Sequence, residues 1–150
     1  MSHEIFFPVP PSQRVRYLIR YLNSLLELPC LPMLDLDAPH RSIAMAKITG
    51  PICDQEVAYC VYSLEKKRIK IERIVVHPDH RRGGIATCIV NAIAERYTPC
   101  TVQMTIEANN IKANEWARAV GFGATKFIRG CESSSDKVQL EFMEIGNIEK

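Results

Sequence analysis

No apolar run in this sequence approaches the ~20 residues that a membrane-spanning helix needs. The opening MSHEIFFPVPP also lacks a basic stretch leading into an apolar one, so no export signal is expected and the cytoplasm is the expected location. Charge of one sign is lacking too. Nineteen Lys and Arg against 17 Asp and Glu leave a net +2, too little to point to nucleic acid or a membrane surface as partner. The six cysteines contain no CxxC pair and stand singly among apolar neighbours, which reads as reduced, buried thiols rather than a disulfide framework. His3 and His40 are isolated and His77 and His80 flank a turn, so the ligand clustering of a metal site is missing. No repeat, low-complexity tract or linker divides the 150 residues, and one domain spanning 1–150 is expected. With 47% hydrophobic and 24% charged residues, the chain can build a core, and neither disorder nor a coiled coil fits.

The hydrophobic pattern alternates between two periods. Residues 4–9 have strand composition and stop at Pro10 and Pro11, after which Ser12 can cap a helix. From Gln13 to Leu28, the positions Val15, Leu18, Ile19, Leu22, Leu25 and Leu26 recur at three- and four-residue steps, which predicts an amphipathic helix. Pro29, Pro32 and Pro39 make the next stretch an irregular connector with a short helical turn. Ser42–Ile48, Glu56–Leu64 and Ile69–His77 read as an antiparallel meander broken at Gly50-Pro51 and at Glu65-Lys66-Lys67-Arg68. A helix follows over Gly84–Tyr97, an alternating strand over Thr101–Glu107, and a helix over 110–120 ended by Gly121. Phe122–Arg129 and Val138–Ile145 are closing strands around the polar loop Gly130–Lys137. Strands interleaved with helices, and with hairpins as well, imply an α+β fold with a mixed sheet and helices on its faces.

Chemistry concentrates in Ile71–Val90, IERIVVHPDHRRGGIATCIV. A β-branched strand ends at His77-Pro78, Arg81 and Arg82 follow, then Gly83 and Gly84, and a helix begins at once. Glycines let a backbone approach a ligand closely, and the opening amides of a helix carry the positive end of its dipole. Such a terminus suits a diphosphate, with Arg81 and Arg82 adding charge and the Thr87 hydroxyl a further hydrogen bond. A Walker-type loop does not fit, because Ile85-Ala86 stand where Lys and Ser or Thr are required; the three spaced glycines of the dinucleotide fingerprint are only partly present.

The segment resembles the cofactor motif R/Q-x-x-G-x-G/A of the GNAT superfamily, the acetyl-CoA-dependent N-acetyltransferases, with Arg81, Gly84 and Ala86 in its three defined positions. A second likeness lies downstream, where Asn110, Ala113, Gly121 and Phe122 match the family's N-x-x-A and G-F spacing. The resemblance covers about residues 42 to 145. It implies a mostly antiparallel twisted sheet of six to seven strands flanked by about four helices, with acetyl-CoA as cofactor. It further implies that Val75, Val76, His77, Arg81, Arg82, Gly83, Gly84, Ile85, Ala86, Thr87 and Asn110 bind that cofactor.

The activity so implied is transfer of an acetyl group to a primary amine by direct attack in a ternary complex. A lysine-like amine has a pKa near ~10.4 and must lose a proton before it attacks. Glu72 is the expected base: it lies four residues before Val76 and therefore on the same strand face, at a position where members of the resembled family often carry a water-linking glutamate. The alternative for Glu72 is a solvated strand carboxylate or one ion-paired with Arg73 or Lys70. The resemblance also implies that a backbone N–H near Val75–His77, where the central strand of the family splays, stabilises charge on the thioester carbonyl. Many family members carry a tyrosine as proton donor four residues before the G-F pair, where this chain has Ala117 beside Trp116. Tyr59, Tyr62 and Cys131 are weaker candidate donors, and the substitution keeps open a non-catalytic acyl-CoA-binding or sensor module. His77 and His80 are expected to be exposed, Asn110 to cap its helix, and Asp35 and Asp37 to lie in a solvated loop, although the resemblance would set that loop at the acceptor cleft, where they could attract a cationic amine. The acceptor is a small-molecule or protein amine, no metal is expected, and exposed sheet edges make a homodimer possible.

Overall fold

The computed structural model describes residues 3–26, 34–51, 54–81, 84–131 and 134–142. Seven strands form one mixed sheet: β1 (His3–Phe6), β2 (Arg41–Thr49), β3 (Asp54–Glu65), β4 (Arg68–Val76), β5 (Thr101–Glu107), β6 (Phe122–Ile128) and β7 (Lys137–Phe142). Among the described residues three helices accompany them, α1 (Gln13–Ser24), α2 (Ile85–Arg96) and α3 (Ile111–Val120), with a 3-10 turn over Pro78–His80. Strand order is β1-β2-β3-β4-β5-β7-β6. All pairs are antiparallel except β4 with β5, which are joined by the crossover helix α2 as a parallel pair requires.

The helix α1 forms because Ser12 caps it, its side chain accepting from the Val15 amide at 3.3 Å, and because Val15, Ile19 and Leu22 share one stripe. These three side chains are buried against Ile43, Met45, Tyr59, Val61 and Val75 on one face of the sheet. Burial of each such aliphatic chain is worth roughly 1.5–3 kcal/mol, which outweighs the exposed Arg14 and Arg20 on the same helix. The other face packs Ala44, Ala58, Cys60, Tyr62, Ile69 and Ile71 against Ile85, Ile89, Val90 and Ile93 of α2 and Ala117 and Val120 of α3. The sheet therefore separates two cores: one under α1, one under α2 and α3.

Most expected elements stand where the sequence places them, with shifted ends. The first helix stops at Ser24, short of the expected Leu28; Glu27 and Leu28 lie outside the described residues. β1 ends at Phe6, before Pro8, which has no amide to give a ladder. The helical turn expected in the connector falls largely on 27–33, outside the described residues; from Leu34 the chain makes tight turns, the Ala38 amide donating to the Asp35 carbonyl at 3.3 Å. β7 lies between β5 and β6, and the end of the expected last strand, 143–145, lies outside the described residues.

Two irregularities shape the centre of the sheet. Register between β3 and β4 slips between Val61↔Arg73 and Tyr62↔Ile71, so Glu72 is an extra residue in β4, a β-bulge. The parallel ladder of β4 and β5 runs only over Arg68↔Thr101, Ile69↔Val102 and Lys70↔Gln103, although β4 continues to Val76 and β5 to Glu107. Beyond Lys70 and Gln103 the two strands part.

Candidate cofactor and active site

A cavity of about 650 Å³ opens where β4 and β5 separate. Ile74, Val75 and Val76 of β4 form one wall, Trp116, Ala119 and Val120 of α3 another, and Leu26 closes the α1 side. Its floor is the segment His80, Arg81, Gly84, Ile85, Ala86 and Thr87. The cavity thus runs from the start of α2 through the gap in the sheet to the end of α1.

The floor has unspent hydrogen-bond donors. Gly84 caps α2 with φ +75 and offers no side-chain cap, whereas Ser12 and Asn110 cap α1 and α3 through their side chains. The first intrahelical bond in α2 runs from Cys88 N to Gly84 O at 2.9 Å, which leaves the amides of Ile85, Ala86 and Thr87 without an intrahelical acceptor, as at any helix start. A Cβ built on Gly84 would meet no heavy atom within 4 Å. Glycine is needed there for its left-handed backbone, and the space above it is open. Amides with no acceptor among the described residues, a helix dipole and the exposed Arg81 guanidinium together make a donor set for an anion such as a diphosphate. Arg82 and Gly83, expected at the same site, lie outside the described residues.

At the gap itself, the backbone of β4 discriminates among three amides. His77 N donates to Val57 O at 2.7 Å, so His77 directs its N–H towards β3. Alternation in an antiparallel ladder gives Val75, register partner of Tyr59, the same direction. Val76 lies between them and directs its N–H and C=O the other way, into the gap where β5 has left.

The bulge at Glu72 corrects the expected geometry. Ile69 and Ile71 face the α2 core and so do Ile74 and Val76, while Val75 faces the α1 core. The extra residue reverses the alternation, so Glu72 and Val76 are on opposite faces. Glu72 instead shares the α1 face with Arg73, which lies against the Tyr59 hydroxyl, and with Arg41. The Arg41 guanidinium donates through Nε to Glu72 Oε2, with both side chains under one fifth exposed. The partner of Glu72 is therefore Arg41, from two strands away.

Other expected residues fall as follows. His77 is buried, 9% exposed, not exposed as expected; its Nδ1 accepts from the Asp79 amide at 3.1 Å and so caps the 3-10 turn. His80 is half-buried and lines the cavity. Asn110 caps α3, its Oδ1 accepting from Ala113 N at 3.1 Å, and it is not among the cavity walls. Ala117 is fully buried in the core under α3. Tyr59 is buried on the α1 face, its hydroxyl donating to Asn23 Oδ1; burial raises its pKa, and Arg73 opposes that shift. Tyr62 faces the α2 core and bonds Tyr97 at 2.9 Å. Cys131 is exposed beside Ser134. Asp37 is engaged by Arg16 at 2.6 Å, and Asp35 Oδ1 accepts from Asp37 N at 3.0 Å. The sequence reading missed Leu26, Trp116, Ala119 and Val120 as walls; the last three share a helix face at i, i+3 and i+4, which was visible as spacing. It also missed Arg41, for which no local pattern exists. Among the described residues no group of three or more His, Cys, Asp or Glu is placed to hold a metal ion, and no helix is long and apolar enough to cross a membrane.

With this geometry in view, comparison with known proteins converges. The sequence model of the acetyltransferase (GNAT) family matches residues 12–122. No curated protein matches the chain in sequence. Among solved structures, the ribosomal-protein-S18-alanine N-acetyltransferase of Escherichia coli is similar with a TM-score of 0.68 at 12% identity, over 94% of this chain and 93% of that one. A spermidine N-acetyltransferase chimera from Vibrio cholerae and hSSAT is similar with a TM-score of 0.67 at 10% identity, over 99% of each chain. A protein described as a streptothricin acetyltransferase from Bacillus anthracis, in complex with acetyl coenzyme A, has a TM-score of 0.58 at 17% identity, over 75% of this chain and 70% of that one. At these identities the likeness is one of fold.

Proposed function

Because the chain belongs to the acetyltransferase (GNAT) family, we propose that it transfers the acetyl group of acetyl-CoA to a primary amine by direct attack in a ternary complex. The observation that carries this reading is the uncapped start of α2 beneath the gap in the sheet. Acetyl-CoA, when bound, supplies an activated thioester carbonyl. The chain's own groups do the rest. Arg81 and the amides of Ile85, Ala86 and Thr87 would hold the diphosphate, and the Val76 N–H, fixed by the ladder with β3, would oppose negative charge growing on the carbonyl oxygen. Glu72, on the α1 face of the gap, takes the amine's proton through water. The transfer would form the amine C–N bond and break the thioester C–S bond, with the leaving thiolate protonated by solvent, because the Ala117 side chain has no acidic proton to give.

The proposed acceptor is a small-molecule or protein amine reaching the gap from the α1 side. The proposed location is the cytoplasm, which keeps thiols such as the exposed Cys88 and Cys131 reduced. The test has two arms. Acetyl-CoA at 100 times its Kd should stabilise the fold by about 2.7 kcal/mol, read as a rise in Tm. CoA release is then followed with spermidine, a peptide with a free N-terminal alanine, and streptothricin. Release with one of them supports the enzyme. Stabilisation without release from any favours a cofactor-binding module, and no stabilisation overturns both.

A further inference from the structure

The only ion pair among the described residues with both side chains less than one fifth exposed is Arg41–Glu72, at 18% and 15%. The other two arginine–carboxylate pairs leave one member or both well exposed: Arg14–Glu56 at 67% and 11%, Arg16–Asp37 at 39% and 68%. Exposed pairs contribute little, whereas a sheltered, charge-assisted pair fixes geometry. Arg41 sits at the start of β2, and its register partner on β3 is Ser63, small, buried and on the same face. Across that serine the guanidinium reaches the bulge on β4. It has a second attachment, Nη1 donating to the carbonyl of Asp35 at 3.0 Å. One planar fork therefore ties the bulged carboxylate to the turn of the connector on the α1 side, beside Leu34 and Leu36 of the α1 core.

We propose that Arg41 is a positioning residue for the acetyl transfer: it holds the Glu72 carboxylate on the acceptor side of the gap and sets the distance from the Asp35 turn to that carboxylate. This rests on the reading of Glu72 as the base. A glutamate side chain free to rotate loses rotamer entropy when it is fixed; the Arg41 fork holds it before the amine arrives. Arginine is required because an ammonium is a single point of charge and does not span both acceptors.

The experiment is a double-mutant cycle with Arg41→Met, Arg41→Lys and Glu72→Gln, using the acceptor selected from spermidine, the alanine peptide and streptothricin. Acetyl-CoA stabilisation is measured in each variant to show that the fold and the α2 site persist. The expected result is that Arg41→Met lowers kcat by about 10- to 100-fold, the range that misplacement of a reacting group costs, and lowers it no further once Glu72 is Gln. Arg41→Lys recovers much of kcat but keeps a raised KM for the amine, because the Asp35 carbonyl has lost its donor. Losses that multiply in the double variant overturn the positioning role while leaving Glu72 as base. Wild-type kcat in Glu72→Gln overturns the base reading and the proposal with it, as does the absence of turnover with all three amines.

Discussion

Glu72 and Arg73 are consecutive in the chain, yet both side chains leave the same face of β4, Glu72 to Arg41 and Arg73 to the Tyr59 hydroxyl. A regular strand cannot do this; the bulge between Val61 and Tyr62 of the partner register does. A carboxylate and a guanidinium are thereby placed side by side on the α1 face of β4. Glu72→Gln should lower kcat by about 10²-fold or more, the lower end of what general-base catalysis contributes, while the Tm rise produced by acetyl-CoA persists. Steady-state CoA release and thermal melts of the same preparation check this.

Arg81 and Gly84 should separate charge from backbone. Arg81→Ala removes one charge-assisted bond to an anion, about 1.5–3 kcal/mol, so the Kd for acetyl-CoA should rise by about tenfold or more and depend less on salt. Gly84→Ala forces a Cβ into a backbone with φ +75, at a cost of roughly 1–2 kcal/mol, with no packing clash. Calorimetric titration of CoA and urea midpoints distinguish the two effects.

Restoring the tyrosine common in the family should fail here. Ala117 is 0% exposed and packs in the core with Val120, Phe122 and Leu140. Ala117→Tyr should destabilise the fold by about 1–3 kcal/mol through overpacking and should not raise kcat. A gain in rate at unchanged Tm would show that the position opens towards the cavity.

Much of the fold was legible because periodicity and punctuation act locally. The stripe Val15, Ile19, Leu22 and the alternation Val102, Met104, Ile106 each report which face is buried, and Ser12 and Asn110 announce the helices they cap. The start of α2 was legible for the same reason, since glycine, helix and arginine are contiguous. What stayed hidden depends on partners distant in sequence. The bulge at Glu72 arises from register with β3, so parity counted from Val76 gave the wrong face. The pairing of Arg41 with Glu72 spans two strands. His77 was expected at an exposed strand end, but the 3-10 turn and the Tyr21 ring cover it.

Alkaline lability should centre on β3. Burial pushes the Cys60 thiol well above its ordinary 9.0 and raises the Tyr59 and Tyr62 phenols above their ordinary 10.0. In each case the folded state retains a proton that the unfolded chain gives up. The stability this represents is complete below the unfolded pKa and is lost as pH rises towards the folded value. Urea midpoints should therefore fall from about pH 9 upward, the thiol acting first. Cys60→Ala should flatten the first part of that fall; an unchanged slope would remove Cys60 as its source.

The short β4–β5 ladder leaves the sheet as two blades, β1–β4 and β5–β7–β6, joined edge to edge only at Arg68–Lys70 and Thr101–Gln103. An elongated polar molecule lodged as a wedge between them would complete hydrogen bonding that the strands leave undone. Occupancy then tightens the whole scaffold as well as filling a hollow, and the amides of Ile74 and Val76, which point away from β3, would exchange with solvent more slowly when the wedge is in place.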